Sequence, residues 1–306
     1  VNSEPVNPGQ PDARAARRAF SRAARKPEAE RFPLSTEVES RMLERLELVR
    51  LEPRYLVDAG AGAGEGASQL MKRYPGSSAV VLDHACEALK AARGGRGMVD
   101  RLRRLVGMAV ADCVCADFSA LPLAGDSCQL VWSNLALAWA VRPQQVFAEF
   151  QRVLEVDGLL MFSSFGPDTL RELRDAFSVV DHHPHTLHFP DMHDLGDMLV
   201  GAGFGDPVMD METFTLTYTD MEALARDLRS SGLSNSAQGR RRSLMGKGGW
   251  QSACHRYEAL RRDGRLPATF EIVYGHAWKV PPRHKHGGPA IVNTDLLKMS
   301  GRRSGR

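Results

Sequence analysis

The sequence predicts an α/β fold built on a mostly parallel sheet, and three observations carry that prediction. Helical and strand periodicities alternate along most of the chain, the pattern of strands joined by crossover helices. The run Tyr55-Leu-Val-Asp-Ala-Gly-Ala-Gly-Ala-Gly-Glu-Gly66 reads as a buried strand that breaks into a glycine-rich turn and opens a helix. A second apolar run, Ala79-Val-Val-Leu-Asp83, reads as the next strand and ends on a carboxylate, roughly twenty residues past the loop.

The elements follow in order. A helix over about 35–50 carries Met42, Leu43, Leu46 and Val49 on one face, with Ser35 or Thr36 able to cap it. Strand one spans about 54–59 and its helix about 66–73; strand two spans about 79–83, with a helix near 85–93. Residues 94–108 are a Gly/Arg-rich connection to strand three, about 109–116. Strand four is Gln129–Ser133, and the helix over 143–154 presents Val146, Phe147, Phe150, Val153 and Leu154 at helical spacing. Asp157-Gly158 turns into strand five, which begins at Leu159. A helix from Met192 to Ala202 is closed by Gly203. Strands at about 208–218 and 269–279 complete the sheet, and helical segments near 168–178 and 220–262 lie outside a minimal nucleotide-binding core.

The chain's 306 residues suffice for one large α/β domain with insertions or two small ones. Its charged and apolar fractions are those of an ordinary globular protein. No apolar stretch approaches the ~20 residues of a membrane span, and Val1-Asn-Ser-Glu-Pro5 is no secretory signal. These readings point to the cytoplasm and away from membranes. Cys86, Cys113, Cys115, Cys128 and Cys254 form an odd, scattered set without C-x-x-C spacing, which argues against disulfides or zinc. Residues 1–12, rich in Pro, Asn and Gln, and the basic run 280–306 read as disordered tails.

Gly60, Gly62 and Gly64 let backbone approach a ligand with no Cβ in the way. Asp83, at a strand end, can accept both hydroxyls of a ribose. A dinucleotide pattern G-x-G-x-x-G can be forced onto Gly60, Gly62 and Asp83, but Asp58 before the glycines gives D-x-G-x-G-x-G. That string resembles motif I of the class I methyltransferases, which bind S-adenosylmethionine (SAM). A flexible Gly/Ala turn would explain the glycines alone; strand, loop, helix, strand and acid in this order favour a ligand site.

Further segments narrow the resemblance. Cys115-Ala-Asp117-Phe-Ser-Ala-Leu-Pro-Leu123 is similar to the strand-three acid and its A-L-P-L turn, and Trp132-Ser-Asn-Leu-Ala-Leu-Ala-Trp139 to the motif after strand four. Ser164-Phe-Gly-Pro-Asp-Thr-Leu-Arg-Glu-Leu-Arg174 and Gly264-Arg-Leu-Pro-Ala-Thr-Phe-Glu-Ile-Val-Tyr-Gly-His-Ala-Trp-Lys279 are long and specific, with weaker support from Phe189–Asp197. Together they resemble the malonyl-acyl-carrier-protein O-methyltransferases of biotin synthesis, from about Arg17 to Lys279.

That resemblance implies a class I SAM-methyltransferase, Rossmann-like fold: a seven-stranded, mostly parallel sheet, last strand antiparallel, with helical cap insertions. One methyltransferase domain would span 13–279, with cap segments near 13–32, 168–190 and 220–266 over the carboxyl edge of the sheet. The cofactor would be SAM. Asp58, Gly60, Gly62 and Gly64 would pack against its methionine moiety, and Asp83 would hold the ribose. His84, Asp117 and Phe118 would meet the adenine, with Asn134 and Leu135 beside the methyl donor. The partner would be an acyl carrier protein bearing a malonyl group, whose carboxylate Arg171 or Arg174 would orient, Trp139 lining the pocket. A carboxylate is already nucleophilic, so no general base is assigned. Carrier proteins are acidic, and Arg226, Arg229, Arg240, Arg241, Arg242, Arg256, Arg261, Arg262 and Arg265 offer either a steering face or ordinary surface charge.

Departures from the family pattern are specific. Ala61 and Ala63 replace the usual Cys and Thr of the loop, Gln129 replaces an acid, and His84 stands where an apolar residue is usual. The arm motif Ala19-Phe-Ser-Arg-Ala-Ala24 is present, but Pro27 stands where a closing tyrosine is expected, leaving Phe20 or Phe32 to close the pocket by packing. Two other readings therefore compete: a non-catalytic paralogue that keeps the pocket, and a SAM-fold enzyme acting on a protein side chain. Ser133-Asn-Leu-Ala in place of an N-P-P-Y motif argues against nucleic acid. The cluster His182, His183, His185 and His188 fits no metal-ligand spacing and reads as a mobile, solvated loop.

Overall fold

The computed structural model describes residues 7–25, 33–93 and 110–281. Its strands are β1 (Tyr55–Ala59), β2 (Ser78–Asp83), β3 (Ala111–Cys115), β4 (Cys128–Ser133), β5 (Leu154–Phe165), β6 (Phe204–Tyr218) and β7 (Leu266–Lys279). They form one seven-stranded sheet in the order β3-β2-β1-β4-β5-β7-β6. Strands β1 to β5 pair in parallel, while β7 runs antiparallel to both β5 and β6. The expected mixed sheet with a reversed last strand is present.

Helices cover both faces. On one side α1 (Ala13–Ala23), α2 (Pro33–Glu47) and α3 (Glu65–Arg73) join a core that includes Leu56, Leu130 and Trp132. Val38, Met42 and Leu46, four residues apart on α2, are fully buried there. On the other side α5 (Pro143–Val153) and α7 (Met192–Gly201) pack on Val57, Val131 and Leu160. Pro143 opens α5, and Val146, Phe147, Phe150 and Val153 form its buried stripe. Each such side chain contributes about 1.5–3 kcal/mol on burial. The surface pair Arg152–Glu149 on the same helix contributes under about 1 kcal/mol, so apolar packing holds α5 in place. The remaining helices are α4 (Cys86–Arg93), α6 (Arg171–Phe177), α8 (Met221–Ser230) and α9 (Lys247–Glu258). No helix among the described residues is long and apolar enough to cross a membrane.

Several expectations are corrected. The helical reading over 220–262 resolves into α8 and α9 separated by irregular chain. Strand β6 begins at Phe204, earlier than 208, because its turn-like Gly205-Asp206-Pro207 is absorbed as a bulge against β7. Strand β5 begins at Leu154, and Asp157-Gly158 lies in an irregularity between the pairs Cys128–Leu154 and Leu130–Leu159. Residues 7–12 are not a free tail: Pro11 bridges Ala237, Asp12 N–H donates to Ser236 O, and Asp12 pairs with Arg240 at 3.1 Å. Within the histidine cluster His185 departs from the solvated-loop reading, since it stacks on Phe177 at 4.1 Å and meets Asp181 at 2.9 Å, while His182, His183 and His188 are exposed.

The reading against disulfides is also overturned. Cys86 and Cys115 are bonded, 29 residues apart in sequence with Cα atoms separated by 5.4 Å. Asp83 and Cys115 are register partners on parallel neighbours, and Cys86 opens α4 just beyond β2. Inter-strand register, which residue spacing does not reveal, brings the sulfurs together. Pro27, Phe32, the connection at 94–109 and the basic run from 282 onward lie outside the described residues.

Candidate functional site

At the carboxyl end of β1 the chain turns through three residues with positive φ, Gly60, Gly62 and Gly64, and enters α3. Gly60 has φ +77°, and a Cβ there would fall 2.1 Å from that of Ala136, so the loop could not lie where it does with any side chain. Gly60 and Ala61 donate their N–H groups to Leu82 O, and Gly62 N–H donates to Asp83 Oδ2 at 2.9 Å. Ala85 N–H donates to the other oxygen of Asp83 at 2.6 Å. The strand-end acid is therefore held rigidly against the loop.

The floor is set by β4 and β5. Leu135, in a left-handed conformation, donates its N–H to Ser163 Oγ, and Ser163 donates to Asn134 Oδ1 at 2.8 Å. Asn134 in turn donates to Ser35 O on α2. These contacts enclose a cavity of about 240 Å³ lined by the loop, Asp58, Asp83, His84, Phe118, Asn134 and Leu135. Phe20 of α1 closes one wall, edge-on to Trp139 at 4.9 Å and to His84 at 6.1 Å.

Two buried carboxyls stand at the cavity's inner end. Asp58 accepts from Ala67 N–H at 2.8 Å, and burial pushes its pKa up to about 7. Burial, and then the charge of Asp58, push Glu39 of α2 up to about 8. Glu39 was missed by the sequence reading, although a carboxylate within the apolar stripe of an amphipathic helix was visible.

A second cavity, of about 320 Å³ and mostly apolar, shares Trp139, Phe165 and Leu233 with the first. Leu170, Phe177, Leu224 and Phe270 wall it, and Arg229 of α8 stands exposed at its edge.

Residues 57–162 match the family described as a methyltransferase domain. A malonyl-[acyl-carrier protein] O-methyltransferase of Gallionella capsiferriformans is 50% identical over 93% of this chain and 97% of its own length. One from Laribacter hongkongensis is 52% identical over 82% of this chain and 85% of its own. The chain belongs to the malonyl-[acyl-carrier protein] O-methyltransferase family. In fold it also resembles the YcgJ protein of Bacillus subtilis, with TM-score 0.54 and 14% identity, covering 80% of this chain and 99% of that one. The architecture is thus the class I methyltransferase fold.

Within this malonyl-[acyl-carrier protein] O-methyltransferase framework the sequence-predicted residues divide. Asp58, Gly60, Gly62, Asp83, His84, Phe118, Asn134, Leu135 and Trp139 converge on the first cavity, while Gly64 starts α3 just behind it. Asp117 lines a third cavity with Arg14, Arg17 and Arg142, and accepts from Ser119 N–H and Oγ. Arg171 turns outward to Asp168 and Glu172, and Arg174 donates to Pro167 O and Thr186 Oγ1. Neither arginine lines either of the first two cavities.

The two long strings prove to grip each other. Asp168 N–H donates to Glu271 Oε2, Thr169 Oγ1 to Glu271 O, and Thr269 N–H to Glu172 Oε2. These contacts form a clasp between the 166–174 segment and β7. Gln129 has a local task as well: its Oε1 accepts from Arg54 and Tyr55 N–H, fixing the start of β1.

Proposed function

We propose that this protein transfers the methyl group of SAM to the free carboxylate of a malonyl group carried by acyl carrier protein. The observation that carries the reading is the junction of two unlike cavities at Trp139, Phe165 and Leu233, one glycine-floored and acid-rimmed, the other apolar. Two features support a fit to the methyl donor: open space at Gly62 of the cavity wall, where a Cβ would meet no protein atom within 4 Å, and a buried Glu39 oxygen without a partner.

In this proposal Gly60, Gly62 and Gly64 shape the seat of the methionine moiety, with Asp58 beneath it. Asp83 accepts from the ribose hydroxyls, and His84 and Phe118 flank the adenine, with Asp117 beyond. Asn134 and Leu135 line the path of the methyl group. When bound, the donor would supply a sulfonium-activated methyl group to the malonyl oxygen, with S-adenosylhomocysteine as the leaving product. The protein's task is alignment and exclusion of water, for which Phe20, Trp139 and Phe165 form a continuous aromatic wall. Arg229 replaces Arg171 and Arg174 as the arginine best placed to meet an anionic group entering the second cavity.

We also propose that 13–32, 168–190 and 220–266 act as a cap, and that the carrier approaches the α8 side. Arg240, Arg241, Arg256 and Arg261 already engage Asp12, Asp181, Asp175 and Glu258; of the remaining Arg226, Arg229, Arg242, Arg262 and Arg265, the two on α8 are the main steering charges in this reading. Masking the carboxylate would let the thioester enter chain elongation like an ordinary acyl group, in the cytoplasm. Expression in cells lacking their own biotin-pathway methyltransferase should restore growth without biotin. Failure to do so, with the protein present and folded, would contradict the proposal.

A further inference from the structure

The inner end of the first cavity is unusually acidic. Glu39, Asp58, Glu65 and Asp83 line the cavity, and among the described residues no lysine or arginine lines it. Asp83 is engaged by Gly62 and Ala85, and Asp58 by Ala67. Glu39 is different: it is 8% exposed, and although Asn134 acts on the carboxyl, its Oε1 has no hydrogen-bond partner. A buried carboxyl oxygen left unsatisfied is destabilising, so its place in the wall of a cavity calls for a ligand.

The position of that oxygen indicates which ligand group it meets. Measured from the Cβ position that Gly66 lacks, Glu39 Oε1 lies at 2.8 Å, Asp58 Oδ2 at 2.9 Å and Trp132 Nε1 at 3.0 Å. Glu39 Oε1 and Asp58 Oδ2 thus both crowd the Gly66 backbone, closer than any side chain at residue 66 would allow, and both residues line the cavity. A cation with several N–H donors can serve two such neighbouring carboxyl oxygens from the cavity side.

We infer that Glu39 of α2, with Asp58 of β1, receives the α-ammonium group of the methyl donor's methionine moiety. This rests on the proposed function and assigns to the donor site a binding residue from outside motif I. Asp58 of β1, Glu65 of α3 and Asn134 beyond β4 act on Glu39, and Asp83 of β2 acts through Asp58. Without ligand the Glu39 carboxyl is neutral near neutral pH. An arriving ammonium group stabilises the carboxylate, and the carboxyl proton passes to the buffer.

Calorimetric titration with S-adenosylhomocysteine, in buffers of different ionisation enthalpy, reads that proton directly. Wild-type protein should release about one proton per ligand bound. The desamino analogue 5′-S-(3-carboxypropyl)-5′-thioadenosine should bind with no such release. Glu39→Gln should weaken S-adenosylhomocysteine by about tenfold or more while leaving the desamino analogue within about twofold. Binding of S-adenosylhomocysteine to wild type without proton release would overturn the inference, as would equal weakening of both ligands by Glu39→Gln. The wild-type comparison stands even if the variant does not fold. If S-adenosylhomocysteine does not bind wild type at all, the donor assignment itself falls, and this inference with it.

Discussion

Gly62 and Asp83 are joined directly: the Gly62 N–H donates to Asp83 Oδ2 at 2.9 Å, tying the glycine turn after β1 to the acid that ends β2. The two signals that marked a ligand site in the sequence are therefore one mechanical unit. Asp83 both shapes the loop and, in the proposed function, accepts from the ribose.

Asp83→Ala should remove both roles. A hydrogen bond to a charged group contributes about 1.5–3 kcal/mol, so affinity for SAM should fall by about 10- to 100-fold. Calorimetric titration of the variant checks this, and unchanged affinity would remove Asp83 from the site.

The ligand-free protein should lose stability as pH rises through the neutral range. The Glu39 carboxyl is raised from 4.5 to about 8 and that of Asp58 from 3.8 to about 7, so the folded chain holds protons that the unfolded chain releases. Their contribution is fully present below the unfolded values and is lost as pH climbs to about 8. Half-buried His276, whose pKa burial lowers, opposes this below its ordinary value of 6.5. Thermal melting of wild type beside Glu39→Gln isolates the effect: the variant should lose less stability between pH 5 and pH 8. Identical profiles would show that Glu39 does not titrate in this window.

Phe20 tests whether packing alone closes the pocket. Its edge-on contact with Trp139 is worth about 0.5–1.5 kcal/mol, so Phe20→Ala should lower kcat/KM by about tenfold with a smaller change in melting temperature. Phe20→Leu should recover part of the loss. Methyl-transfer kinetics equal to wild type would mean that α1 does not seal the site.

Thiol titration checks the Cys86–Cys115 bond. Unfolded without reductant, the chain should report its three free cysteines, Cys113, Cys128 and Cys254, and after reduction all five. Five thiols before reduction would show the bond absent.

What the sequence revealed was local or periodic. Motif I, Asp83 and the stripe of Val146, Phe147, Phe150 and Val153 each lie within a few residues, so spacing was enough to read them. The Cys86–Cys115 bond depends on the register of two parallel strands, and Glu39 is separated from its neighbours Asp58 and Trp132 by turns and whole elements. Arg171 and Arg174 were placed on the correct edge of the sheet, but Asp168, Glu172, Pro167 and Thr186 hold them outside the cavities. Those carboxylate and carbonyl contacts arise from the clasp with β7, which joins segments about a hundred residues apart.

The central claim is methyl transfer to a malonyl carboxylate, and mass spectrometry of the carrier tests it most directly. Purified protein incubated with SAM and malonyl-acyl carrier protein should convert the malonyl group to its methyl ester, with S-adenosylhomocysteine formed in equal amount. Acetyl-acyl carrier protein, which lacks the free carboxylate, should remain unmodified. A protein that binds SAM yet leaves malonyl-acyl carrier protein unchanged would contradict the account.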